Sequence, residues 1–316
     1  MIECFFGDIE NAVESQMPND YLDKLIEGVF IFSLMWSICG MSTAGGQEIL
    51  DRFVKNLIDG NYTADDLKNI NLNLRDIKAK PNFQLRLPKG ASLYDLKIDI
   101  DKDSVKWRLW DDFVSTPTFS PESTVSEMIV PTLDTVRCEY LLNLLIANKK
   151  HLLLVGPTGT GKTTLIKNTL NKNLQGFTTI NINFSAQTTS QNAQDMLLAK
   201  LEKRKKGVYG PILGQRALCF VDDLNLPVRE TYGAQPPIEL MRQMLDQGFL
   251  YDLNDRSSLK IVDTMFVGAM GPPGGSRNLI TPRFMRHLNT ISINEYSDKS
   301  LECIFSRILS HHFTQK

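Results

Sequence analysis

The stretch VGPTGTGKTT, residues 155 to 164, contains the residue types that bind polyphosphates. It satisfies the spacing G-x-x-x-x-G-K-[ST] from Gly156 to Thr163. Glycines let backbone N–H groups converge on phosphate oxygens, the lysine reaches the β and γ phosphates, and the hydroxyl can ligate Mg²⁺. From average glycine usage of about 7%, a chance match in a chain of this length is roughly a one-in-a-hundred event. The predicted nucleotide-binding residues here are Gly156, Pro157, Thr158, Gly159, Thr160, Gly161, Lys162, Thr163 and Thr164.

A magnesium-nucleotide site also needs a carboxylate at the end of a neighbouring strand. Asp222 follows the apolar run LCFV, and Asp223 comes directly after it. We expect Thr163 and Asp222 to hold Mg²⁺ together, and Asp223 to polarise the attacking water as a general base. Aspartates at a strand end are also common turn residues, and the sequence leaves this alternative open for both.

The composition is that of a globular protein with enough apolar residues for a sizeable core. The chain has 316 residues, 42% of them hydrophobic and 22% charged, a length that allows two domains. Its 35 basic and 36 acidic residues give a net charge of −1, which disfavours nucleic acid or an anionic membrane as a partner. Five scattered cysteines without a C-x-x-C pair favour a reducing compartment such as the cytoplasm.

Neither the opening residues nor the most apolar run is predicted to be a secretory signal or a membrane span. The most apolar run, residues 28–41, is shorter than the roughly 20 residues that span a bilayer, so we predict a buried helix and no membrane. The opening MIECFFGDIE lacks the basic region of a secretory signal. The two ends also lack the usual marks of a complete protein, and we expect a fragment.

The first part of the chain is predicted to be helical and then to form a hairpin. Residues 20–58 have helical periodicity with a break at Gly40 to Gly46, and the second helix carries an apolar stripe. Alternating residues on either side of DIDKDS, 94–100 and 105–109, predict a β-hairpin. The turn resembles the start of an EF-hand loop, but Ser104 and Trp110 replace its glycine and glutamate, so we reject calcium. The stripe is formed by Ile49, Leu50, Phe53, Val54 and Leu57.

After Ser126 the chain alternates strands and helices, a pattern typical of a parallel sheet covered by helices. Asp134 is predicted to cap the first helix, with Tyr140, Leu141, Leu144 and Leu145 facing inward. KRKK, 203–206, is interpreted as the solvated end of a helix. The isolated histidines lack partners at metal-ligand spacing. The predicted strands are 151–155, 178–184, 217–223, 264–270 and 290–293, and the predicted helices are 163–170, 190–203, 237–248 and one that Ser297 caps.

At these residues the chain resembles a specific family. FVDDLNLP, YGAQPPIEL and GPPGG, in this order after the P-loop, look like the third AAA+ module of a dynein heavy chain, closest to axonemal inner-arm types. The resemblance covers residues 126–316, and VFIFSLMWSICG and the hairpin near Trp107 to Trp110 resemble the end of the second module and the connector into the third. These motifs are far more specific than the P-loop alone.

The resemblance implies an α/β fold, the P-loop NTPase AAA+ large domain. Its parallel sheet lies between helices, follows a helical segment and a β-hairpin connector, and precedes the start of a helical lid. The implied domains are the helical end of a preceding module at 1–58, the connector at 59–125, the nucleotide-binding domain at 126–295 and a truncated small domain at 296–316. The implied cofactors are ATP or ADP and Mg²⁺.

The family also implies roles for further residues. Asp223 stands where hydrolysing members carry glutamate, and Gly271 stands where many AAA+ proteins place a sensor asparagine. Arg283 and Arg286 stand where an arginine finger reaches the neighbouring module's nucleotide, with surface salt bridging as the alternative. The list of implied nucleotide contacts is completed by Val130 and Pro131, beside the adenine.

Two departures from the family pattern predict slow hydrolysis. Asp is one methylene shorter than Glu, a pullback of roughly 1.5 Å at Asp223, and misplacement on that scale costs on the order of 100-fold in rate. Gly271 lacks a polar side chain that could orient water. Neither change removes a phosphate contact. We therefore expect a regulatory site that binds ATP or ADP and hydrolyses slowly or not at all.

The family implies partners that the chain alone does not identify. They are the neighbouring AAA+ modules of the same heavy chain and, through a full-length motor, microtubules and dynein intermediate and light chains. The implied location is the cytoplasm and cytoskeleton, in the axoneme of a cilium or flagellum. Two alternatives stay open: an independent P-loop enzyme such as a kinase or GTPase, and a noncatalytic interaction fragment. The sequence NKNL, 171–174, fails the N-K-x-D guanine signature, which disfavours GTP.

Overall fold

A computed structural model of the chain describes residues 1–61, 83–117, 119, 128–172, 176–252 and 255–314. Within them the chain forms two compact units, Met1–Val136 and Arg137–Lys316. Much of the predicted connector, residues 62–82 and 120–127, lies outside the described residues.

The first unit contains the predicted helices and the predicted hairpin. Its elements are α1 (Phe6–Glu14), α2 (Asn19–Ser37), α3 (Ala44–Ile58), β1 (Leu96–Ile100) and β2 (Val105–Leu109), with short 3₁₀ turns at Ile2–Phe5, Cys39–Met41, Leu93–Asp95 and Trp110–Phe113. β1 and β2 pair antiparallel, with Ile98 opposite Trp107. The hairpin was therefore predicted correctly, and its turn is closed by a hydrogen bond from the Asp101 N–H to the Ser104 carbonyl.

Aromatic rings from α2 and the hairpin region form the centre of this unit. Trp36 lies edge-on to both Tyr94 and Trp110, with ring centroids 5.9 and 6.4 Å away. Phe32 and Trp110 are almost completely buried. α2 and β1 approach so closely at Gly28 that a Cβ there would overlap the side chain of Ile98. A larger residue at position 28 would therefore displace the side chains of Ile98 and Leu85.

The segment Asn19–Met41 is long and apolar enough to cross a membrane by length and composition, with a mean hydropathy of 1.5. More than half of its apolar stretch is buried inside the fold. Core helices of water-soluble proteins meet the same two criteria, so length and composition do not separate the two cases. The burial of Leu25, Phe32 and Met35 agrees with the predicted buried helix.

The predicted stripe on α3 is only partly correct. Val54 is buried, but Ile49 is 61% exposed. α3 begins at Ala44, and Ile49 lies in its second turn, on the side away from the core. Helical periodicity identifies a stripe but does not fix how wide a face the neighbouring elements cover.

The second unit is built around a five-stranded parallel sheet. Its elements, with α4 beginning at the end of the first unit, are α4 (Leu133–Ala147), β3 (Leu152–Val155), α5 (Lys162–Lys172), β4 (Phe177–Asn183), α6 (Ser190–Leu198), β5 (Glu202–Lys205), β6 (Val208–Gly210), β7 (Arg216–Asp222), α7 (Pro236–Gln247), β8 (Phe249–Tyr251), β9 (Ser258–Ile261), β10 (Thr264–Met270), α8 (Pro282–Met285), β11 (Asn289–Ser292) and α9 (Asp298–Thr314). The strand order is β11-β3-β10-β7-β4, and every pair is parallel. This confirms the predicted α/β fold.

The sheet positions the site through its strand order. β10 lies between β3, which feeds the P-loop, and β7, which ends at Asp222. The carboxyl ends of all five strands meet at one edge. Apart from one end residue in each, β3 and β10 are buried, as their apolar runs predict.

A second sheet of four short strands, in the order β5-β6-β9-β8, was not predicted. The run KRKK lies largely in β5, which pairs antiparallel with β6, so its interpretation as a helix end is wrong. α6 ends at Leu198, before the basic run begins. Short polar strands lack the apolar periodicity that identifies a strand in a sequence.

The cap predicted at Asp134 is also wrong. The side chains of Thr132 and Thr135 close the start of α4 reciprocally, because each hydroxyl accepts from the backbone N–H of the other residue. The predicted inward residues Leu141 and Leu145 are fully buried, whereas Tyr140 and Leu144 are half-buried.

Candidate nucleotide site

The P-loop runs between β3 and α5 with the backbone shape of a phosphate cradle. Gly159 and Gly161 have φ values of 84° and 71°, conformations that favour glycine. A Cβ at Gly156 would overlap the backbone carbonyl of Ile293, just beyond β11. The first glycine of the motif is thus needed for close packing against the neighbouring strand, and the later ones for the turn.

Lys162 begins α5 and folds back over its own loop. Its Nζ donates to the carbonyls of Gly156 and Pro157 over 2.8 and 2.6 Å. Burial, and then the charge of Arg277, lowers the pKa of Lys162, while Asp222 and Asp223 oppose that change. The ammonium group is partly desolvated beside another cation, an arrangement that an anionic ligand would relieve.

The structure brings Thr163 and Asp222 together across the intervening strand. The Thr163 hydroxyl donates to Asp222 Oδ2 over 2.7 Å, and Asp222 Oδ1 accepts from the N–H of Asp223 over 3.0 Å. The two oxygens that were predicted to hold magnesium are therefore direct neighbours, one from the P-loop helix and one from the end of β7.

Asp223 turns away from β7 in a left-handed conformation, with φ at 50°. Its side chain is 46% exposed, and its Oδ1 lies 3.6 Å from Arg277 Nη2. Aspartate is among the few residues that adopt this backbone region readily. Asp223 lies beside Asp222 at the carboxyl edge, as the sequence predicted, but its ion pair with an arginine was not predicted.

Arg277 is the residue that sequence analysis missed. A Cβ at Gly271 would lie 2.5 Å from Arg277 Nε and 2.6 Å from its Cδ, so the arginine side chain runs through the space next to that glycine. Gly271 follows the last residue of β10, the strand between β3 and β7. The spacing of Arg277 within GPPGGSRN gave no sign of a role in the site. Its contact with Gly271 in the structure identifies it as a site residue.

Asn225 holds the segment that carries Arg277. It is completely buried, and its Nδ2 donates to the carbonyl of Gly271 over 2.8 Å. Its backbone carbonyl accepts from the N–H of Asn278. The loop after β7 and the loop after β10 are thereby joined on both sides of Arg277.

Tyr296 connects the approach to α9 with the P-loop. Its hydroxyl donates to the carbonyl of Thr160 over 3.1 Å, and a Cβ at Gly161 would lie 2.9 Å from that hydroxyl. Ser297 follows, and its side chain accepts from the N–H of Ser300 at the start of α9, the cap that the sequence predicted. The beginning of α9 is thus tied to the phosphate loop.

Arg283 and Arg286 lie at the opposite edge of the sheet from the P-loop. Both come just before β11, and Arg286 Nη2 donates to Asp246 Oδ1 at the end of α7 over 3.1 Å. Arg283 is exposed on α8. The salt bridge at a helix end, which the sequence left open as the alternative, is present for Arg286. The arginine-finger role of Arg283 and Arg286 stays a prediction.

Val130 and Pro131 lie in the first unit, where Val130 is buried and Pro131 is half-buried. Their predicted contact with adenine stays a prediction.

The residues at the carboxyl edge fit a magnesium-bound polyphosphate. The positive φ values at Gly159 and Gly161, the lysine at the start of α5 and the adjacent oxygens of Thr163 and Asp222 are the features that phosphate and Mg²⁺ require. The described residues contain no cluster of three histidine, cysteine or acidic side chains that could hold a metal alone. A metal at Thr163 and Asp222 would therefore take its remaining ligands from phosphate and water.

Comparison with known families agrees with this geometry. Residues 117–296 match the family described as the P-loop containing dynein motor region. Residues 1–112 match the dynein heavy chain AAA lid domain. The second match covers both the N-terminal helices and the hairpin.

The similar curated proteins are axonemal dynein heavy chains. The chain is 40% identical over 298 residues to dynein axonemal heavy chain 3 of Mus musculus, which covers 91% of this chain and 7% of the relative. It is 39% identical to dynein axonemal heavy chain 12 of Homo sapiens, covering 90% of the chain and 9% of the relative, and 39% identical to dynein axonemal heavy chain 1 of Homo sapiens, covering 98% and 7%. The chain thus spans less than a tenth of the length of these relatives.

Proposed function

Because the chain belongs to the dynein heavy chain family, we propose that its P-loop binds ATP or ADP with Mg²⁺ as one AAA+ module of an axonemal motor. The observation that carries this proposal is the 2.7 Å hydrogen bond between Thr163 Oγ1 and Asp222 Oδ2. P-loop NTPases bind Mg²⁺ between these two residue types, directly beside the β and γ phosphates. Lys162, whose Nζ lies over the loop's own carbonyls, would supply positive charge to the phosphates.

We further propose that this module hydrolyses ATP slowly and serves a regulatory role. Asp223 is short for a general base, its backbone turns it away from β7, and Arg277 pairs with its carboxylate. The short reach of the side chain and its competing contact with Arg277 oppose a general-base role, whereas phosphate binding depends on other residues. The nucleotide would then act through the conformation that it stabilises.

The cellular role that we propose follows from the relatives rather than from this chain's geometry. The motor would be located in the axoneme of cilia or flagella, in the cytoplasm and cytoskeleton, and would move along microtubules. Its partners would include neighbouring AAA+ modules and dynein intermediate and light chains. The arginine-finger role of Arg283 and Arg286 toward a neighbouring module is part of this proposal, and their position just before β11, at the amino edge of the sheet, supports it.

Equilibrium binding of ATP, ADP and GTP to the 316-residue chain tests the proposal. We expect ATP and ADP to bind in the presence of Mg²⁺, and Lys162→Ala to lose that binding. A preference for GTP, or phosphoryl transfer to a small acceptor, would instead support an independent P-loop enzyme. Absence of any nucleotide binding to the folded wild-type chain would support a noncatalytic interaction fragment.

A further inference from the structure

The centre of the carboxyl edge lacks a side chain from the strand that occupies it. β10 lies between the P-loop strand and the strand that ends at Asp222, and the first residue after it is Gly271. A polar side chain at that position would stand between Lys162 and the two aspartates. Gly271 supplies only its backbone carbonyl, which Asn225 already engages.

Arg277 occupies the space that this glycine leaves. A Cβ at position 271 would lie 2.5 Å from its Nε, and 3.0 Å from the Cζ of the guanidinium. Its Nε is buried without a hydrogen-bond partner in the described part of the chain, and its Nη2 faces Asp223 at 3.6 Å. The guanidinium thus carries unused donor capacity in the middle of the site.

The charges around this guanidinium indicate what it would bind. Arg277 Nη2 lies 3.6 Å from Asp223 Oδ1, Asp222 accepts from Thr163, and Lys162 begins the same P-loop helix as Thr163. Two cations and two carboxylates balance one another until a magnesium-bound nucleotide adds negative charge. The part of that ligand nearest Asp223 is its terminal phosphate, because a general base must lie next to the phosphate under attack.

We propose that Arg277 binds the terminal phosphate of a nucleoside triphosphate within its own chain and thereby distinguishes triphosphate from diphosphate at this site. This inference rests on the proposed nucleotide site. The guanidinium would transfer its contact from the Asp223 carboxylate to the γ phosphate, for which its planar set of donors is well suited. Gly271 makes the arrangement possible, because any larger residue would displace the arginine.

Arg277 would thereby sense whether a diphosphate or a triphosphate is bound. With a diphosphate bound, Arg277 stays paired with Asp223. With a triphosphate bound, it would pull on the segment that Asn225 joins to the loop after β7. The chain would thus carry its own phosphate-reading arginine, in addition to any arginine that a neighbouring module contributes.

Two variants test this without relying on one substitution. Arg277→Gln removes the charge, and Gly271→Ala displaces the side chain while leaving it intact. The backbone at Gly271 is outside the left-handed region, and the obstructing atoms belong to a flexible side chain, so alanine is expected to fold there. Arg229→Gln is the matched control, because Arg229 is an exposed arginine that donates to the Leu279 carbonyl in the same segment.

Equilibrium binding of Mg²⁺-ADP and of a non-hydrolysable Mg²⁺-ATP analogue to the 316-residue chain gives the readout. We expect each variant to lower the affinity for the triphosphate analogue about tenfold, the order expected for the loss of one charge-assisted hydrogen bond. The affinity for ADP should stay within about twofold of the wild type. Because both substitutions remove the same contact with the γ phosphate, the double variant should bind the triphosphate analogue no more weakly than either single variant. Arg277→Lys should restore part of the selectivity.

The outcomes separate this inference from the proposed function. Equal losses for both nucleotides, with unchanged thermal unfolding, would mean that Arg277 acts on a part that ADP and ATP share and would overturn the inference. Unchanged selectivity in both variants would also overturn it, while leaving the nucleotide site intact. A wild-type chain that binds neither nucleotide would overturn the proposed function and this inference together.

Discussion

The hydroxyl of Thr163 and the carboxylate of Asp222 meet across the strand that separates them, with Oγ1 and Oδ2 2.7 Å apart. Thr163 comes from the start of α5 and Asp222 from the last position of β7. We expect Thr163→Val, which keeps the shape of the side chain and removes the oxygen, to weaken binding of Mg²⁺-ATP about tenfold. Titration calorimetry with Mg²⁺ and with EDTA measures the two affinities, and the difference in affinity between wild type and Thr163→Val should vanish in EDTA.

Thr290→Val is the matched control for this change. Thr290 is half-buried in β11, on the other side of the P-loop strand from β7. The Thr290→Val variant should bind nucleotide like the wild type, both with Mg²⁺ and with EDTA. A Thr163→Val chain that loses equal affinity with and without Mg²⁺ would show that the hydroxyl shapes the loop rather than holding a metal.

Asp223 is the residue that the account makes responsible for slow turnover. Asp223→Glu should raise the hydrolysis rate at this site, by up to about 100-fold, because it restores the missing methylene. Single-turnover hydrolysis by the full heavy chain measures this, with the contribution of this site taken as the part that Lys162→Ala removes. Asp223→Asn is the companion variant and should slow the site further. A rate that matches the main motor site in wild type would contradict slow hydrolysis.

His151 makes stability depend on pH through a backbone contact. Its Nδ1 accepts from the N–H of Phe266 over 3.1 Å, and burial, followed by the nearby His287, lowers its pKa below the usual 6.5. The unfolded chain therefore takes up this proton at a higher pH than the folded one. The contribution of His151 to the free energy of unfolding is complete above pH 6.5 and is lost as the pH falls through the lowered pKa of the folded state.

We expect His151→Gln to flatten the loss of unfolding free energy below pH 6.5, because glutamine can accept the same hydrogen bond but does not titrate there. Urea unfolding at a series of pH values measures the slope. His312→Gln, an exposed histidine on α9, should keep the wild-type slope. An unchanged slope in His151→Gln would assign the pH dependence to other groups.

Tyr296 ties the approach to α9 to the phosphate loop. Tyr296→Phe should destabilise the chain by about 1 kcal/mol, because the Thr160 carbonyl loses a hydrogen bond from a partly buried hydroxyl. Chemical denaturation gives the difference. Tyr232→Phe is the control, since Tyr232 is 98% exposed, and it should be neutral. Equal effects of the two changes would mean that the tether to Thr160 contributes nothing.

The sequence predicted the parts of the fold that have strong periodicity. All five strands of the parallel sheet were placed within one residue at each end. The three central strands are apolar runs such as Leu152–Val155, as buried parallel strands usually are, whereas the edge strand Phe177–Asn183 alternates apolar and polar residues in its second half. The second sheet was missed, because strands such as Glu202–Lys205 are short and polar and are specified by pairing with their neighbours. Local pattern carries no information about such tertiary pairing.

The residues of the site likewise include some that could be predicted from the sequence and one that could not. Lys162, Thr163 and Asp222 could be predicted because their spacing is a motif with a physical reason. Arg277 could not, because its importance arises from a glycine six positions earlier whose missing Cβ leaves room for it. The absence of a side chain at Gly271 was noticed in the sequence, but the residue that fills the space is apparent only in three dimensions.

If Lys162, Thr163 and Asp222 hold one magnesium-bound nucleotide, metal binding must depend on nucleotide, and this dependence can be measured by counting bound metal. Mn²⁺ in place of Mg²⁺ allows electron paramagnetic resonance to measure bound metal per chain. We expect bound Mn²⁺ only when ATP or ADP is added, and we expect Lys162→Ala and Asp222→Asn to lose it. Binding of Mn²⁺ that is independent of nucleotide, or that survives both substitutions, would contradict it.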